Sequence, residues 1–434
     1  MKRRFWLVPL VVLALFFAYR ALKKPVIEWY AENYIVRPTA APATETPSQI
    51  CLTWSEDPRT TQTIQWRTAT SVGDGWVQYR QKDGHATPAE SEAARTVLED
   101  PLVENDPVNH RFTAVLRGLA SGTAYAYRSG SKQHGTWSAW AEFSTAPEQE
   151  LPFSFVYLGD PQCGLDVWGA MLRGVHQQYA DAAFYVIAGD LVNNGGHRNQ
   201  WDEFFEGGRG VFDRRCVVPA LGNHDDDQNG EPRLYLGLFD LPTNGPDGFP
   251  AEHAYHFRYS NALFVVLDSN LPPEDQQGWL EEQLAGSDAT WKFAVFHHPA
   301  YSAKSSRDNP EIRETWGRLF DQYHVDMALQ GHDHAYLRTH PMNAGRIAAT
   351  PAEGTVYVIS VSGTKLYELS QEDYTAVGFD DVATYQVIDI ETNPDRLSYR
   401  AYDTAGALRD ELVIEKAPPG VNAREQESVL VGQP

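Results

Sequence analysis

The 434 residues of the chain are 42% hydrophobic, enough for two or three cores of ordinary domain size, so wholesale disorder is excluded. A formal net charge of −22 repels phosphate backbones and no basic stripe offsets it, which argues against nucleic acid as a partner. Three cysteines, Cys51, Cys163 and Cys216, are too few for a disulfide scaffold or a cysteine-rich zinc module; they leave room for one bridge, such as Cys163 with Cys216.

Residues 1–24 read MKRRFWLVPLVVLALFFAYRALKK, an apolar run from Phe5 to Tyr19 bracketed by basic residues. That length is short for a membrane span and suits the apolar core of an export signal, reaching a span if Arg20 extends to the headgroups. No small-x-small site follows closely, so an uncleaved signal anchor is favoured over a cleaved peptide. The bulk of the chain is then expected outside the cytoplasm, tethered and facing the periplasm or cell exterior, or secreted if the signal is cleaved. The absence of any Asn-x-Ser/Thr sequon leans towards a bacterial envelope. Residues 25–47 end in RPTAAPATETP, too poor in apolar residues to pack, and are expected to be a linker.

From residue 48 to 147 short alternating runs separated by turn residues, among them ICLTW, TIQWRT, WVQYRQ and AYAYRSG, predict strands throughout. Trp54, Trp66, Tyr79, Leu116, Tyr125, Tyr127 and Phe143 would fill the space between two antiparallel sheets. LRGLASGTAYAYR resembles the late strands of a fibronectin type III module, and nothing in this domain spaces His, Asp or Glu like ligands.

The second domain, residues 150–416, carries the chemistry. Apolar runs recur, each ending in a polar cluster: FSFVYLGDPQ, AAFYVIAGDLVNNG, CVVPALGNHDDD, KFAVFHHP and DMALQGHDH. Between them, helical spacing joins Leu165, Trp168, Leu172, Val175 and Tyr179, and again Ile312, Trp316, Leu319 and Tyr323. PEDQQGWLEEQLAG predicts a packing helix with Trp279, Leu280 and Leu284 on one face. Alternating strand and helix implies layered α/β architecture in which the loops at the carboxyl ends of the strands converge. Runs between 355 and 416 are expected to complete a second sheet, and residues 417–434 to form a mobile tail.

Those loops bring Asp160, Gln162, Asp190, Asn223, His297, His332 and His334, oxygen and imidazole donors without a thiolate. The mixture suits zinc, manganese or iron rather than copper(I) or an iron–sulfur cluster. Seven donors exceed one tetrahedral shell and match two ions sharing a carboxylate, the recurring device for phosphoester hydrolysis. A lone Gly-Asp means nothing, as Gly73-Asp74 in the first domain illustrates; the signal lies in GD, GD, GNHD, HHP and GHDH occurring in that order, each after an apolar strand.

In that order of motifs, over roughly residues 150–340, the chain resembles the calcineurin-like metallophosphoesterase superfamily. With the preceding sandwich it looks most like purple acid phosphatases and their bacterial relatives, a likeness that GHDHAYLRTHP and GTVYVISVSGTKLY strengthen. The resemblance implies an αββα sandwich preceded by the fibronectin III-like sandwich and the amino-terminal anchor or signal. It also implies two divalent or trivalent metal ions and a small phosphorylated substrate, a phosphomonoester or on the same core a diester; a degenerate, non-catalytic scaffold is the rival. Residue by residue it gives a first metal held by Asp160, Gln162, Asp190 and His334, and a second by Asp190, Asn223, His297 and His332. His297 is chosen over His298 because it stands two residues before Pro299.

Two departures stand out. Where purple acid phosphatases place a metal-binding Tyr the chain has Asn193, so it should not be purple, and where the wider superfamily places a His it has Gln162. The metals are expected to bind phosphoryl oxygens and activate a shared water. His224 is the candidate general acid, with Asp225 orienting its ring. His197, His298, Lys304 and Arg307, in loops near the motif ends, are candidate substrate contacts.

Overall fold

Alternating side chains make strands of the first domain. β1 (Ser48–Thr53), β2 (Thr61–Thr68), β3 (Trp76–Gln81), β4 (Ala89–Glu92), β5 (Ala94–Glu99), β6 (Val108–Arg117), β7 (Ala124–Gly130) and β8 (Ala141–Ser144) follow one another. They pair antiparallel as two four-stranded sheets, β1-β2-β6-β5 and β4-β3-β7-β8. Trp66 stacks on Phe112 and Tyr125 on Phe143, so the predicted aromatic interior is present, with Tyr79 only partly buried. The computed structural model describes residues 34–84 and 86–416; the expected membrane segment at 1–24 and the tail at 417–434 lie outside the described residues. Among the described residues no helix is long and apolar enough to cross a membrane.

The expected linker is partly docked. Arg37 forms a β-bridge with Val103, and Thr39 exchanges two 2.9 Å hydrogen bonds with Asn105. Arg67 donates to the Ala41 carbonyl at 2.7 Å. Residues 37–41 thus dock through polar and backbone bonds, which low hydrophobicity does not forbid.

In the second domain β9 (Phe153–Leu158), β10 (Phe184–Ile187), β11 (Cys216–Pro219), β12 (Tyr255–Tyr259), β13 (Ala262–Val266), β14 (Trp291–Val295), β15 (Met327–Gln330) and β16 (Tyr336–Thr339) come first. A small ribbon, β17 (Met342–Asn343) and β18 (Arg346–Ile347), precedes β19 (Val356–Ile359), β20 (Thr375–Phe379), β21 (Thr384–Thr392), β22 (Asp395–Asp403) and β23 (Leu408–Glu415). One sheet has the order β11-β10-β9-β21-β22-β23, the other β12-β13-β14-β15-β19-β16-β20. The carboxyl-terminal strands therefore divide: β19 and β20 enter the second sheet, whereas β21, β22 and β23 extend the first. Periodicity predicted strands there but could not name their partners.

The two sheets face each other through interleaved rings. Phe155 and Phe184 of the first sheet meet Phe264 and Phe293 of the second at centroid distances of 5.2–5.3 Å. Helices cover the outer faces. α1 (Leu165–Gln178) buries Leu165, Trp168, Leu172 and Val175, as its spacing predicted, and His176 meets Tyr185 on the outer side of the first sheet. α2 (Arg198–Gly207) and α3 (Arg233–Leu238) follow. α4 (Pro273–Ala285) and a helical stretch over 310–323, with a π-turn at Arg313–Gly317, pack Leu280, Leu284, Trp316 and Phe320 against the second sheet. This is the αββα layering the resemblance implied. All three cysteines are free; Cys216 lies against Gln62 and Cys163 against Asn193, so the envisaged bridge does not form.

Candidate metal centre

Strands of both sheets end in one place. β9 runs into Asp160, β10 into Asp190, β11 into Asn223, β14 into His297, and β15 into His332 and His334. Asp160, Asp190, His332 and His334 sit at positive φ (46°, 54°, 76° and 49°), so the backbone breaks sharply where each donor stands. The approach is close enough to require glycine. A Cβ at Gly189 would lie 2.6 Å from His297 Nδ1, and one at Gly331 would lie 2.4 Å from Asp160 Oδ2.

The donors form two overlapping groups: Asp190, His297 and His332, and Asp160, Asp190 and His334. Within each, the ligand atoms all lie within 4.8 Å of one another, and Asp190 belongs to both. Outer hydrogen bonds orient the rings. His297 Nδ1 donates to the Ala188 carbonyl at 2.9 Å and His334 Nδ1 to the Lys365 carbonyl at 2.8 Å. Each ring thereby turns Nε2 towards a carboxylate, His297 to Asp190 at 3.2 Å and His334 to Asp160 at 3.5 Å. Gln162 Nε2 donates to Asp190 Oδ2 at 2.8 Å and to His334 Nε2 at 2.9 Å.

The charge balance is unfavourable without a cation. Burial pushes Asp160 well above the usual carboxylate range, opposed by His297 and reinforced by Asp190. Asp190 is held below that range in spite of burial, because His297 stands beside it. Burial opposes charge on His297 too, yet Asp190 and Asp160 push it up to about 10. Burial lowers His332, takes His334 down to about 4 and His298 down to about 3. Asp160 Oδ1 and Gln162 Oε1 are buried without a hydrogen-bond partner. Orphaned oxygens, inward Nε2 atoms and a shared carboxylate fit hard or borderline divalent ions.

The remaining predicted residues separate. Asn223 is exposed and lines, with His298, a cavity beside the buried groups. His298 Nδ1 contacts Ser269 Oγ at 2.9 Å, and its ring centroid lies 4.3 Å from that of His332. His224 donates its backbone N–H to Asp190 Oδ1 at 2.8 Å and its Nδ1–H to the Asn193 carbonyl at 2.7 Å. Asp225 does not orient that ring. Its carboxylate, fully buried, accepts the backbone N–H groups of Leu191, Val192 and Gly222, and so ties two site loops together. Arg307 donates to the His332 carbonyl at 3.0 Å and pairs with Asp333 at 3.4 Å.

His197 and Lys304 are not in the centre. His197 precedes α2, where burial and the charge on Arg37 lower it to about 4, on the side facing the first domain. The Lys304 side chain is exposed, and its backbone bonds to Ser302. Sequence reasoning missed Lys365 and Tyr367. The Tyr367 ring lies 4.6 Å from that of His334, and Arg307 and Lys365 stand 5.5 Å and 5.1 Å from it. The loop follows β19, which runs parallel to β15, so the rule that sites gather at strand ends would have found it.

Residues 153–336 match the family described as calcineurin-like phosphoesterase, and residues 47–145 match the purple acid phosphatase N-terminal domain. An uncharacterized protein of Mycobacterium tuberculosis is 25% identical over 334 residues, covering 67% of this chain and 62% of its own length. The probable inactive purple acid phosphatase 1 of Arabidopsis thaliana is 23% identical, covering 58% of this chain and 48% of its own length. The chain thus spans less than two thirds of these relatives. Among solved structures, the purple acid phosphatase PPD1 from yellow lupin seeds superposes with a TM-score of 0.75 at 19% identity, over 86% of this chain and 74% of that one. That likeness carries the fold.

Proposed function

Because the chain belongs to the calcineurin-like phosphoesterases, with the purple acid phosphatase N-terminal module ahead of its catalytic domain, we propose that it is a metal-dependent hydrolase of phosphate esters. The observation that carries this reading is the pair of donor groups sharing Asp190. Asp160, Gln162, Asp190 and His334 would hold one ion, and Asp190, His297 and His332 a second, with Asn223 at its open rim. Ions held there would supply Lewis acidity towards phosphoryl oxygens and water. The protein's own groups then do the rest. The Asn193 carbonyl fixes the His224 tautomer and leaves Nε2 to carry a proton to the leaving oxygen. Arg307, through the His332 carbonyl, holds the last ligand loop in place.

The monoester is the favoured substrate and the diester the alternative, since the same core serves both. The two donor groups weigh against a non-catalytic scaffold, although one similar protein is named a probable inactive purple acid phosphatase. The basic-flanked apolar run at 5–19 supports an exported, tethered protein.

Asp190→Ala and His332→Ala should abolish hydrolysis of para-nitrophenyl phosphate and its bis ester by protein loaded with manganese, zinc or iron. Unchanged rates in both would sink the proposal. In the same assay His224→Ala should lower kcat by roughly a hundredfold or more while metal content stays at the native level.

A further inference from the structure

Asp333, 2% exposed, stands in sequence between His332 and His334 and belongs to neither donor group. Its two neighbours serve different groups: His332 joins Asp190 and His297, and His334 joins Asp160 and Asp190. The span from one group to the other therefore passes through this one residue. Both flanking histidines hold left-handed backbone, with φ of 76° and 49°, a conformation that residues other than glycine keep only where their surroundings fix it. The turn needs anchors.

Two of them come from the backbone. The His332 N–H donates to Asp160 Oδ2 at 2.7 Å, and the His334 carbonyl accepts the Tyr367 N–H at 2.9 Å. The remaining anchor is the Asp333 carboxylate. Its Oδ2 accepts the Ser302 hydroxyl and the Ala303 N–H, each at 2.6 Å, and its Oδ1 faces Arg307 Nη1 at 3.4 Å. The loop that supplies these groups is itself braced, because Tyr374 donates its hydroxyl proton to the Ser302 carbonyl at 2.7 Å and Arg313 reaches the Ala300 carbonyl at 2.6 Å. Asn309 Nδ2 adds a bond to the Pro299 carbonyl at 2.8 Å. Bonds to an ionised carboxylate are the stronger kind, and burial keeps water from replacing them. Asp333 thus ties the ligand turn to a fixed post.

We infer that Asp333 is a positioning residue for the metal pair: without binding an ion itself, it holds His332 and His334 so that two ions can share Asp190. The inference rests on the metal-dependent reading of the site. Without the carboxylate the left-handed turn relaxes, and the two imidazoles no longer converge on Asp190.

Manganese(II) alone is the probe, added to the metal-free full chain in chelator competition and followed by electron paramagnetic resonance, in which ions sharing a carboxylate are exchange-coupled and separate ions are not. The native chain should show the coupled spectrum. Asp333→Ala should keep native far-ultraviolet circular dichroism, bind manganese roughly tenfold or more weakly and lose the coupling, whereas Asp333→Asn, with one acceptor oxygen left for Ser302 or Ala303, should recover part of the affinity. If Asp333→Ala does not fold, Ser302→Ala with Arg307→Gln strips partners from the same carboxylate and should weaken binding likewise. Native affinity with intact coupling in either variant overturns the positioning role, while the coupled native spectrum leaves the metal reading standing. A native chain that binds no manganese, or binds it uncoupled, overturns both.

Discussion

Gln162 stands where the wider superfamily has a histidine, and its amide is held by two residues of the proposed ligand set, at 2.8 Å from Asp190 and 2.9 Å from His334. Its oxygen has no partner. Turning the amide about its last bond would place that oxygen where the nitrogen now lies, a neutral ligand weaker than imidazole. Gln162→His should therefore tighten metal binding by roughly tenfold in chelator competition. An unchanged affinity would leave Gln162 as loop structure. Residue identity alone carried much of this centre: Asp160, Asp190, His297, His332 and His334 were legible because each acid or imidazole closes an apolar run. The same dipeptide without that setting does other work, since Asp74 of the first domain accepts the Lys132 and Gln133 backbone N–H groups and the Ser131 hydroxyl. Asp225 was misread because carboxylates that bond backbone N–H groups leave no mark in sequence, and Lys365 because its contact with His334 uses a carbonyl that any residue has.

At the scale of elements, precision comes from strand tips rather than from loops. The break after β15 lets Gly331 pass Asp160 so closely that any side chain would collide with the carboxylate. Gly331→Ala should leave the far-ultraviolet circular dichroism native and sharply reduce metal content, because the added carbon displaces a ligand and not a core residue. Native metal content in that variant would show that the tip has slack. Helix spacing named α1 and α4 because one face of each must be buried. Strand spacing named strands but not their neighbours: β21 lies beside β9, more than two hundred residues away in sequence, and only tertiary packing decides that.

In the whole molecule the regions expected as separate domains, 48–147 and 150–416, pack closely against each other. Trp54 packs its ring against Phe184 and Phe257 of the second domain at 5.5 and 5.4 Å. At the other end of the β1–β2 pair, Arg67 pairs with Asp202 at 2.7 Å and Arg198 with Asp106 at 3.0 Å, all four nearly fully buried and each pair crossing between the domains. Arg67 also stands 3.7 Å from Asp106 and Arg198 3.9 Å from Asp202, so the four form one network; removing Arg67 leaves two buried carboxylates facing a single guanidinium, and Arg67→Ala should cost about 3–5 kcal/mol of stability, read as a lowered urea midpoint. A loss below about 1 kcal/mol would mean the pair is solvated. The first domain thereby holds α2, and with it the loop after β10 that carries Asp190 and Asn193.

The two donor groups sharing Asp190 are the proposed seats of the metal ions. Metal content of the purified chain, measured after reconstitution and removal of excess ion, tests that assignment most directly. The native chain should retain two ions and Asp190→Ala at most one. Equal content in the two proteins, or none in the native chain, would show that Asp190 is not a shared metal ligand.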